Sequence, residues 1–417
     1  MSVEIALRLG AFAAFAAAAM LLPGHAALAQ QDPKAPAAIT NPPPAKGPLM
    51  GRPETPGAHA LAPVAPPPFV TAADKLPLKK IKVPKGFKVE VYASGIKNAR
   101  TLRMGDKGTL FVGNWQGNKV WAVTEKDGKR TAKVLYENLD WPNGLAFHKG
   151  TLYIAEHGKI SKAENIEDNL DNPPKLVPIY DKLGEPRPHG WRFLGVGPDE
   201  KLYVSNSAPC NICMPPPGFG EIRKMNLDGS AAEPILRGMR NTVGFDWNPV
   251  NKQLYFTDNG RDWMSEDLPH GELNRVTKPG KEHFGFPFCH QGDIADPEFG
   301  WGYSCKSFTP PIAKLGPHAA PLGMRFYTGK AFPAKYHNAI FVARHGPWNR
   351  TQKFGADVVV IHLNDKGGYK SRETFFSGLI ENNTYIGRPV DVEVMKDGSL
   401  LVSDDWNGAV YRVSHGG

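Results

Sequence analysis

Residues 237–275 read RGMRNTVGFDWNPVNKQLYFTDNGRDWMSEDLPHGELNR and contain one complete copy of a unit that the chain repeats. Alternating apolar residues predict a first strand at 243–247 and a second strand at 253–257. Asn248, Pro249 and Asn251 form the turn between these strands, and the polar residues 258–262 follow the second strand. The unit is therefore a strand, a turn, a second strand and a polar end.

The second strand of this unit occurs six times in the chain. Each copy has a turn residue followed by alternating apolar positions: GTLFVGN (108–114), GTLYIAEH (150–157), EKLYVSNS (200–207), KQLYFTDNG (252–260), NAIFVARHG (338–346) and GSLLVSDD (398–405). The spacing, roughly 57 residues per unit, is compatible with propeller blades of four strands and sizeable loops. Helical periodicity is nowhere sustained over three turns. We therefore predict an all-β fold, a six-bladed β-propeller.

The closing blade of such a ring can be completed in two ways. The last copy runs on into a further strand, GAVYRVS (408–414), so the blade can finish at the C-terminus. Alternatively, residues 80–93 supply a strand to it. Both arrangements remain open at this stage.

The predicted propeller occupies residues 76–417, because the residues before it differ in composition. Residues 1–29 contain Arg8, an apolar run at 9–22 and small residues at Ala27 and Ala29, which is typical of a secretory signal peptide. The run is short for the alternative, a membrane-spanning helix. Residues 30–75 are rich in proline and alanine and predict an extended linker. We expect a periplasmic or secreted mature protein without a membrane span.

The net charge of +9 over 417 residues does not by itself indicate a nucleic-acid partner. The lysines near the start of the domain are spread over ordinary strands, and the chain has no RNA- or DNA-binding motif. We therefore expect no nucleic acid as a partner.

Polar residues precede the predicted first strand of nearly every blade. If these strands start near the central axis, the residues before them gather at one mouth of the channel. They are Arg100, Asn143, His189, Arg240, Asn241, Leu322, Gly323 and Arg388. Several arginines at one mouth suggest a ligand with several carboxylates, which arginine binds bidentately. The alternative is that each arginine pairs with an acid at the blade rim: Asp258, Asp391, Asp404 or Asp405.

Several long motifs of this chain resemble the L-sorbosone dehydrogenase family, which is related to the soluble quinoprotein glucose dehydrogenases. The motifs are PHGWRFLGVGPDEKLYVSNSAPCNIC (188–213), the unit at 237–275, HFGFPFCH (283–290), FYTGKAFPAKYHNAIFVARHGPWNR (326–350) and GRPVDVEVMKDGSLLVSDDWNGAVYR (387–412). The resemblance covers about residues 85–415. It implies a dehydrogenase that binds pyrroloquinoline quinone (PQQ), a tricarboxylate, together with Ca²⁺ over the channel.

The resemblance also implies roles for individual residues. His189 would be the general base that takes the substrate hydroxyl proton, with a pKa near its normal value. The residues implied to bind the cofactor are Arg100, Arg240, Asn241, His345, Trp348, Asn349 and Arg388. His345 stands where relatives have a lysine, which is a departure from the family pattern. For His189 taken alone, the alternative is a packing or capping role.

The resemblance implies that two successive backbone carbonyls, those of Gly260 and Arg261, bind the calcium ion. Hard cations take oxygen ligands, which agrees with this assignment. Nearby acids could instead form a separate calcium loop or a solvated acidic rim, the interpretation we favour; they are Asp258, Asp262, Glu266 and Asp267.

Four cysteines in an exported chain favour disulfides, and we expect the pairs Cys210–Cys213 and Cys289–Cys305. A CxxC pair can also belong to a thioredoxin-like, zinc or haem site. No histidine follows Cys213, which argues against covalent haem, and no βαβ pattern supports a redox pair.

Three functions are therefore compared. The first is a PQQ-dependent dehydrogenase that oxidises an aldose or aldehyde and passes electrons to a cytochrome or quinone. The second is a calcium-dependent propeller lactonase, which needs acidic metal ligands rather than several arginines. The third is a non-catalytic binding propeller, which does not require a histidine at position 189.

Overall fold

The computed structural model describes residue 67, residues 69–184 and residues 189–416. The predicted signal peptide and most of the predicted linker lie outside the described residues, so both remain predictions. Within the described residues, six four-stranded antiparallel sheets form the blades of a β-propeller, which confirms the predicted fold class. No helix among these residues is long and apolar enough to cross a membrane.

In blades 1 to 5, neighbouring strands of the sheet follow one another in the sequence. In blade 6, the outer strand comes from the N-terminal part of the domain. Blade 1 contains β2 (Ala99–Met104), β3 (Leu110–Asn114), β4 (Val120–Lys126) and β5 (Lys129–Tyr136). Blade 2 contains β6 (Gly144–His148), β7 (Thr151–Ala155), β8 (Ile160–Ala163) and β9 (Val177–Tyr180). Blade 3 contains β10 (Leu194–Val196), β11 (Leu202–Asn206), β12 (Glu221–Met225) and β13 (Glu233–Arg237).

The remaining blades carry two short insertions. Blade 4 contains β14 (Phe245–Trp247), β15 (Leu254–Asp258), β16 (His270–Arg275) and β19 (Ala313–Pro317). Blade 5 contains β20 (Pro321–Phe326), β21 (Ile340–Arg344), β22 (Asp357–Leu363) and β23 (Tyr369–Phe376). Blade 6 contains β26 (Pro389–Val394), β27 (Leu400–Asp404), β28 (Ala409–His415) and β1 (Phe87–Ala93). Two small hairpins interrupt this series: β17 (Cys289–His290) with β18 (Ile294–Ala295), and β24 (Ile380–Glu381) with β25 (Thr384–Tyr385).

Helical structure among the described residues is limited to short 3₁₀ turns. They are Ala73–Lys75, Leu78–Lys80, Ile166–Asp168, Cys305–Ser307 and Ala334–Tyr336. The first lies in the predicted linker, where the backbone N–H of Thr71 also donates to Asn407 O at 3.1 Å. This part of the linker therefore contacts the ring.

The ring closes through its N-terminal strand. β1 pairs antiparallel with the C-terminal β28, with Phe87 opposite His415 and Glu90 opposite Arg412. Of the two closures that the sequence left open, the structure has the one in which residues 80–93 contribute a strand. The outer strand of blade 6 thus comes from the opposite end of the domain.

The repeated sequence motif is the second strand of each blade. β3, β11, β15, β21 and β27 are buried along their whole length, whereas an outer strand such as β23 is largely exposed. Hydrophobic clusters fill the spaces between neighbouring blades; Phe111 packs with Leu145 between blades 1 and 2, for example. The second strands read as nearly continuous apolar runs because both of their faces are covered.

The first strand of each blade begins, and the second ends, at the same mouth of the channel. In blade 4, for instance, Phe245 pairs with Phe256, so residues 240–244 and 257–262 lie at one end. The other end holds a cavity of about 170 Å³ lined by Arg103, Arg325 and Glu393 among others. The topology therefore places the polar rim residues of different blades together.

Candidate functional site

Four predicted site residues from four blades form one connected network at this mouth. Arg100 donates from Nε to Asn143 Oδ1 at 2.9 Å and from Nη1 to Asp405 Oδ2 at 2.7 Å. The other oxygen of Asp405 accepts from His345 Nε2 at 2.8 Å. Arg388 in turn donates from Nε to the His345 carbonyl at 3.0 Å. The structure thus brings Arg100, Asn143, His345 and Arg388 together around a carboxylate.

Charge and burial together set the protonation of this network. Burial raises the pKa of Asp405, but His345, Arg100 and Arg388 outweigh it and lower that pKa to about 2. Burial, with Arg388, lowers the pKa of His345 to about 4 although Asp405 opposes this shift. Around neutral pH the network therefore contains an ionised carboxylate, a neutral imidazole that donates from Nε2, and two guanidinium groups.

The Arg388 guanidinium is held in a fixed plane. Its Nη2 donates to the Gly346 carbonyl at 2.6 Å, and its Cζ lies 4.6 Å from the centroid of the Tyr385 ring. The backbone N–H of Arg388 donates to Asp404 Oδ1 at 2.9 Å. Since a cation over an aromatic face is stabilised by the ring quadrupole, the guanidinium is preorganised before any ligand arrives.

Arg240 and Asn241 belong to a second network on blade 4. Asp258 fixes their backbone: its carboxylate accepts from the N–H of Arg240 at 2.8 Å and from that of Asn241 at 2.7 Å. The Arg240 guanidinium reaches Asp262 Oδ2 at 3.2 Å and also donates to Asn211. Asn349 from blade 5 donates to Asp262 Oδ1 at 3.0 Å. Arg240, Asn241 and Asn349 are therefore neighbours.

These contacts show which acids the arginines meet. Arg100 pairs with the rim acid Asp405, as the alternative predicted. Arg240 also has an acidic partner, but this partner is Asp262. The predicted acid, Asp258, instead binds backbone N–H groups. The pairing alternative thus holds for two arginines. A ligand at this mouth would add its carboxylates to guanidinium groups that already have protein partners.

His189 has one nitrogen bound to the backbone. Its Nδ1 lies 2.8 Å from Ala208 O, and a carbonyl only accepts, so Nδ1 carries the proton. In this tautomer Nε2 is the unprotonated nitrogen, and the contact of Nδ1 with Ala208 O is the hydrogen bond that the described residues give to this ring. Burial and then Arg240 lower the pKa of His189 to about 3. The expectation of a pKa near the normal value is therefore wrong for the cofactor-free protein.

Aromatic residues connect His189 with the Asp405 network. The Trp191 ring lies 6.2 Å from the His189 ring, centroid to centroid, and 5.8 Å from Arg100 Cζ. Trp191 also packs on Val243, Leu322 and Val390, which lie on or just before the first strands of three other blades. These four residues form an apolar surface at the inner end of the mouth.

The two predicted metal-binding carbonyls lie in the loop after β15. The carbonyl oxygens of Gly260 and Arg261 accept no hydrogen bond from the described residues. A Cβ at Gly260 would come within 2.5 Å of Pro269 Cγ, so only glycine fits there. The Arg261 guanidinium is bound to Asp296 at 2.9 Å and to Glu298 at 2.8 Å, so the side chain is directed to these two acids. The backbone carbonyl oxygen of Arg261, which accepts no hydrogen bond from the described residues, is available for a cation.

The nearby acids do not form a separate calcium loop. Glu266 accepts from the backbone N–H of Thr351 at 2.8 Å, and Asp267 pairs with Arg350 at 2.6 Å. Among the described residues no group of three or more His, Cys, Asp or Glu side chains is arranged to hold a metal. Asp258 and Asp262 are likewise hydrogen-bonded to groups of the chain, whereas the Asp267 side chain is 70% exposed, so only Asp267 fits the solvated rim.

Trp348 lies against the same loop. Its ring meets Trp263 edge to face at 5.0 Å between centroids. Together with Asn349, it joins blade 5 to the 258–263 loop and not to the Asp405 network. The structure thus brings both predicted residues to the mouth, next to the carbonyl loop.

Sequence reasoning missed several residues of this mouth. Trp115 and Trp141 meet each other at 5.5 Å, and Trp115 meets Trp191 at 5.2 Å, in edge-to-face pairs. Asn211 binds the Arg240 guanidinium. The available signal was a tryptophan directly after a second strand, as at Trp115, or three residues before a first strand, as at Trp141 and Trp191. Asn211 carried none beyond its place between two cysteines.

Two further observations bear on whether a planar polycarboxylate and a hard cation fit this mouth. Asn241 Oδ1 and Asn259 Oδ1 are buried and have no hydrogen-bond partner among the described residues. Buried polar atoms usually have a partner, so such atoms suggest that a ligand or water completes them. With three buried arginines, an apolar surface and two unpaired carbonyls, the residues present fit both groups. A cavity of about 750 Å³ on blades 4 and 5 contains none of the predicted residues.

Comparison with known proteins places the chain in a family. It is 31% identical over 362 residues to an uncharacterized protein of Borreliella burgdorferi, which covers 82% of this chain and 93% of that protein. The chain belongs to the same family as this protein. A family model described as TrAA12-like also matches residues 301–416, which include blade 5 and three of the four strands of blade 6.

Several solved structures have a fold similar to that of this chain. The calcium structure of a Trichoderma reesei enzyme of carbohydrate-active family AA12 has a TM-score of 0.71 at 18% identity, covering 83% of this chain and 99% of that chain. The holo PQQ domain of Coprinopsis cinerea pyranose dehydrogenase has a TM-score of 0.67 at 18% identity, covering 84% and 98%. The PQQ-bound aldose sugar dehydrogenase of Streptomyces coelicolor has 0.58 at 17%, covering 80% and 99%.

Proposed function

We propose that this protein is a PQQ-dependent dehydrogenase that oxidises an aldose or aldehyde, of the L-sorbosone or pyranose type, and passes the electrons to an external acceptor. The observation that carries the proposal is that one mouth holds both His189, whose Nε2 is an available proton acceptor, and three buried arginines beside an apolar surface. These arginines are Arg100, Arg240 and Arg388. The PQQ domain of Coprinopsis cinerea pyranose dehydrogenase and the PQQ-bound Streptomyces coelicolor enzyme support it as structural neighbours.

Bound PQQ would supply the two-electron oxidant. Arg100, Arg240 and Arg388 would bind its carboxylates, since guanidinium groups bind carboxylates through charge-assisted, often bidentate hydrogen bonds. The side-chain oxygens of Asn241 and Asn259 would gain the partners that they lack among the described residues. The carbonyls of Gly260 and Arg261 would hold Ca²⁺, a cation that takes oxygen ligands.

The chain itself would move the substrate proton. Oxidation of a carbon that bears a hydroxyl requires that the hydroxyl proton leaves as the carbonyl forms. His189 Nε2 would accept it, while the bond from Nδ1 to Ala208 O keeps the imidazole in the tautomer with a basic Nε2. A bound anion beside the imidazole would raise its pKa from about 3, which makes it a stronger base.

Two disulfides, Cys210–Cys213 and Cys289–Cys305, form as expected. Disulfides persist in oxidising compartments, which supports the proposed periplasmic or secreted location. The calcium-dependent lactonase would need carboxylates directed at a metal, whereas Asp258, Asp262 and Asp405 are bound to groups of the chain. The cytochrome or quinone acceptor remains part of the proposal.

The test is a titration of cofactor-free protein with Ca²⁺ and PQQ, followed by dye reduction with a panel of aldoses and aldehydes. Binding should perturb the PQQ absorbance and raise the melting temperature by mass action. Turnover should require both additions. Unchanged melting and absorbance would contradict the quinoprotein assignment, and hydrolysis of a lactone with Ca²⁺ alone would favour the lactonase.

A further inference from the structure

One short segment of blade 3, residues 208–213, contacts three parts of the mouth. Ala208 O accepts the hydrogen bond from His189 Nδ1 at 2.8 Å, and the backbone N–H of Ala208 donates to Arg240 O at 2.8 Å. Asn211 lies between Cys210 and Cys213, which are joined by a disulfide. The segment therefore lies next to the proposed base, the Arg240 guanidinium and the carbonyl loop.

Asn211 binds two of these parts at once. Its backbone carbonyl accepts from Arg240 Nε at 2.8 Å, and its Oδ1 accepts from Arg240 Nη2 at 2.8 Å. The same Oδ1 accepts from the backbone N–H of Asp262 at 2.8 Å, and Nδ2 lies 3.3 Å from the Asp262 carbonyl. One amide side chain thus joins a guanidinium group to the loop that carries Gly260 and Arg261.

The segment has little hydrophobic packing to hold this conformation. Cys210, Asn211, Ile212 and Cys213 are all half-buried, and none belongs to a hydrophobic cluster of the described residues. A four-residue segment without such packing samples many backbone conformations, and a covalent link between its ends removes many of them. The disulfide therefore supplies the restraint that packing supplies elsewhere.

We infer that Asn211 is a positioning residue and that the Cys210–Cys213 disulfide holds it in the conformation that orients both Arg240 and the 260–262 loop. The identity of the ligands rests on the proposed function. The positioning itself concerns only groups of this chain, so it holds for any anion and cation at this mouth. A site held within small tolerances requires such supporting contacts.

The first measurement needs no cofactor. The backbone N–H of Asp262 donates to Asn211 Oδ1, so its hydrogen–deuterium exchange reports this contact directly. We expect faster exchange at this amide in Asn211→Ala. We also expect it in the double variant Cys210→Ser/Cys213→Ser, in which Asn211 is present but unrestrained.

The second measurement is the affinity of each variant for PQQ and for Ca²⁺. Loss of hydrogen bonds to a charged group should weaken PQQ binding about tenfold to a hundredfold in Asn211→Ala. Removing the disulfide should weaken it in the same direction. In the Asn211→Ala background, removing the disulfide should have a smaller effect than in the wild type, because only the backbone carbonyl of residue 211 then remains to bind Arg240.

The control is Asn248→Ala. Like Asn211, Asn248 accepts hydrogen bonds from backbone N–H groups: its Oδ1 accepts from Val250 N at 2.8 Å and from Asn251 N at 3.3 Å, at the far end of blade 4. Its removal should leave Asp262 exchange and both affinities unchanged. Wild-type exchange at Asp262 in the double cysteine variant, or additive effects of the two changes, would overturn the inference. If the wild type binds neither PQQ nor Ca²⁺, the proposed function is wrong. The exchange at Asp262, which needs no cofactor, then still tests whether the disulfide and Asn211 hold the loop.

Discussion

Arg100 and Asp405 lie 305 positions apart in the chain and form a salt bridge of 2.7 Å at the mouth of the channel. Arg100 is on the first strand of blade 1, and Asp405 follows the second strand of blade 6. The bridge therefore spans the junction at which the ring closes. It is almost fully buried, with side-chain exposures of 4% and 2%. The same pair therefore joins blade 1 to blade 6 and holds Arg100 in the candidate site.

Asp405→Asn should destabilise the protein. The substitution removes the charge that Arg100 needs in a buried position, and breaking one side of a buried pair costs about 3–5 kcal/mol. Urea unfolding of the cofactor-free protein measures the loss. The control is Asp267→Asn, because the Asp267–Arg350 pair has an acid that is 70% exposed and should contribute about 1 kcal/mol or less. Equal effects of the two substitutions would mean that Arg100 finds other partners.

Arg388→Ala should weaken PQQ binding by about 1.5–3 kcal/mol, the range for a hydrogen bond to a charged group. Arg388→Lys should recover only part of the affinity, because lysine keeps the charge but lacks the planar fork that the Tyr385 ring supports. Calorimetric titration with PQQ and excess Ca²⁺ measures both. If affinity is unchanged while stability falls, the guanidinium serves only to link blades 5 and 6 through the carbonyls of His345 and Gly346.

His189→Gln should retain PQQ and lose most of the turnover. A positioned base commonly contributes about 10²–10⁴-fold to such a step, and glutamine at this position has no basic nitrogen. Stopped-flow measurement of cofactor reduction isolates the step. His337→Gln is the control, since His337 also bonds to a backbone carbonyl, Phe332 O at 3.0 Å, but lies away from the mouth. Preserved reduction per folded molecule in His189→Gln would assign His189 to packing.

The sequence was sufficient to predict the fold because the repeated unit is a local pattern. Each second strand is covered on both faces, so its apolar run appears in the sequence at every blade. Turn residues mark its start. The convergence of Arg100, Asn143 and Arg388 followed from topology alone, once the first strands were assumed to start at one mouth, whereas His345 was assigned through the family resemblance.

The partners of these residues could not be predicted in the same way. Which acid meets Arg240 depends on how the 258–263 loop packs, and the sequence offered Asp258 while the structure uses Asp262. The low pKa of His189 arises from burial, which is a property of the assembled mouth. The pairing of β1 with β28 joins residues more than 300 positions apart, and no local pattern specifies it.

Phe87 in β1 tests this closure. Its ring meets Phe332 at 4.8 Å and Phe375 at 5.0 Å, edge to face, so it packs the N-terminal strand onto blade 5. Phe87→Ala should cost about 3 kcal/mol, at the low end for phenylalanine truncation because the side chain is only half-buried. Phe69, which is 82% exposed, is the matched control and should change stability by about 0.5 kcal/mol or less. Equal urea midpoints for the two variants would show that β1 contributes little to ring closure.

The pH dependence of unfolding tests the protonation of His189 without any cofactor. The pKa of this imidazole is lowered from 6.5 to about 3 by burial and by Arg240. As the pH falls below about 6.5, the unfolded chain binds a proton at this position and the folded protein does not, so the imidazole makes unfolding progressively more favourable.

His189→Gln removes this contribution, so the unfolding free energy of the variant should fall less steeply with pH than that of the wild type. Between about pH 7 and about pH 5, the unfolding free energy of the wild type should fall by about 2 kcal/mol more than that of the variant. Urea unfolding of cofactor-free protein at both pH values measures this change, with His337→Gln as the control for loss of a histidine. Parallel curves would mean that the His189 imidazole takes up a proton in the folded state at mildly acidic pH. In that case the low pKa of His189 would be wrong, and Nε2 would be a base of ordinary strength even without a bound anion.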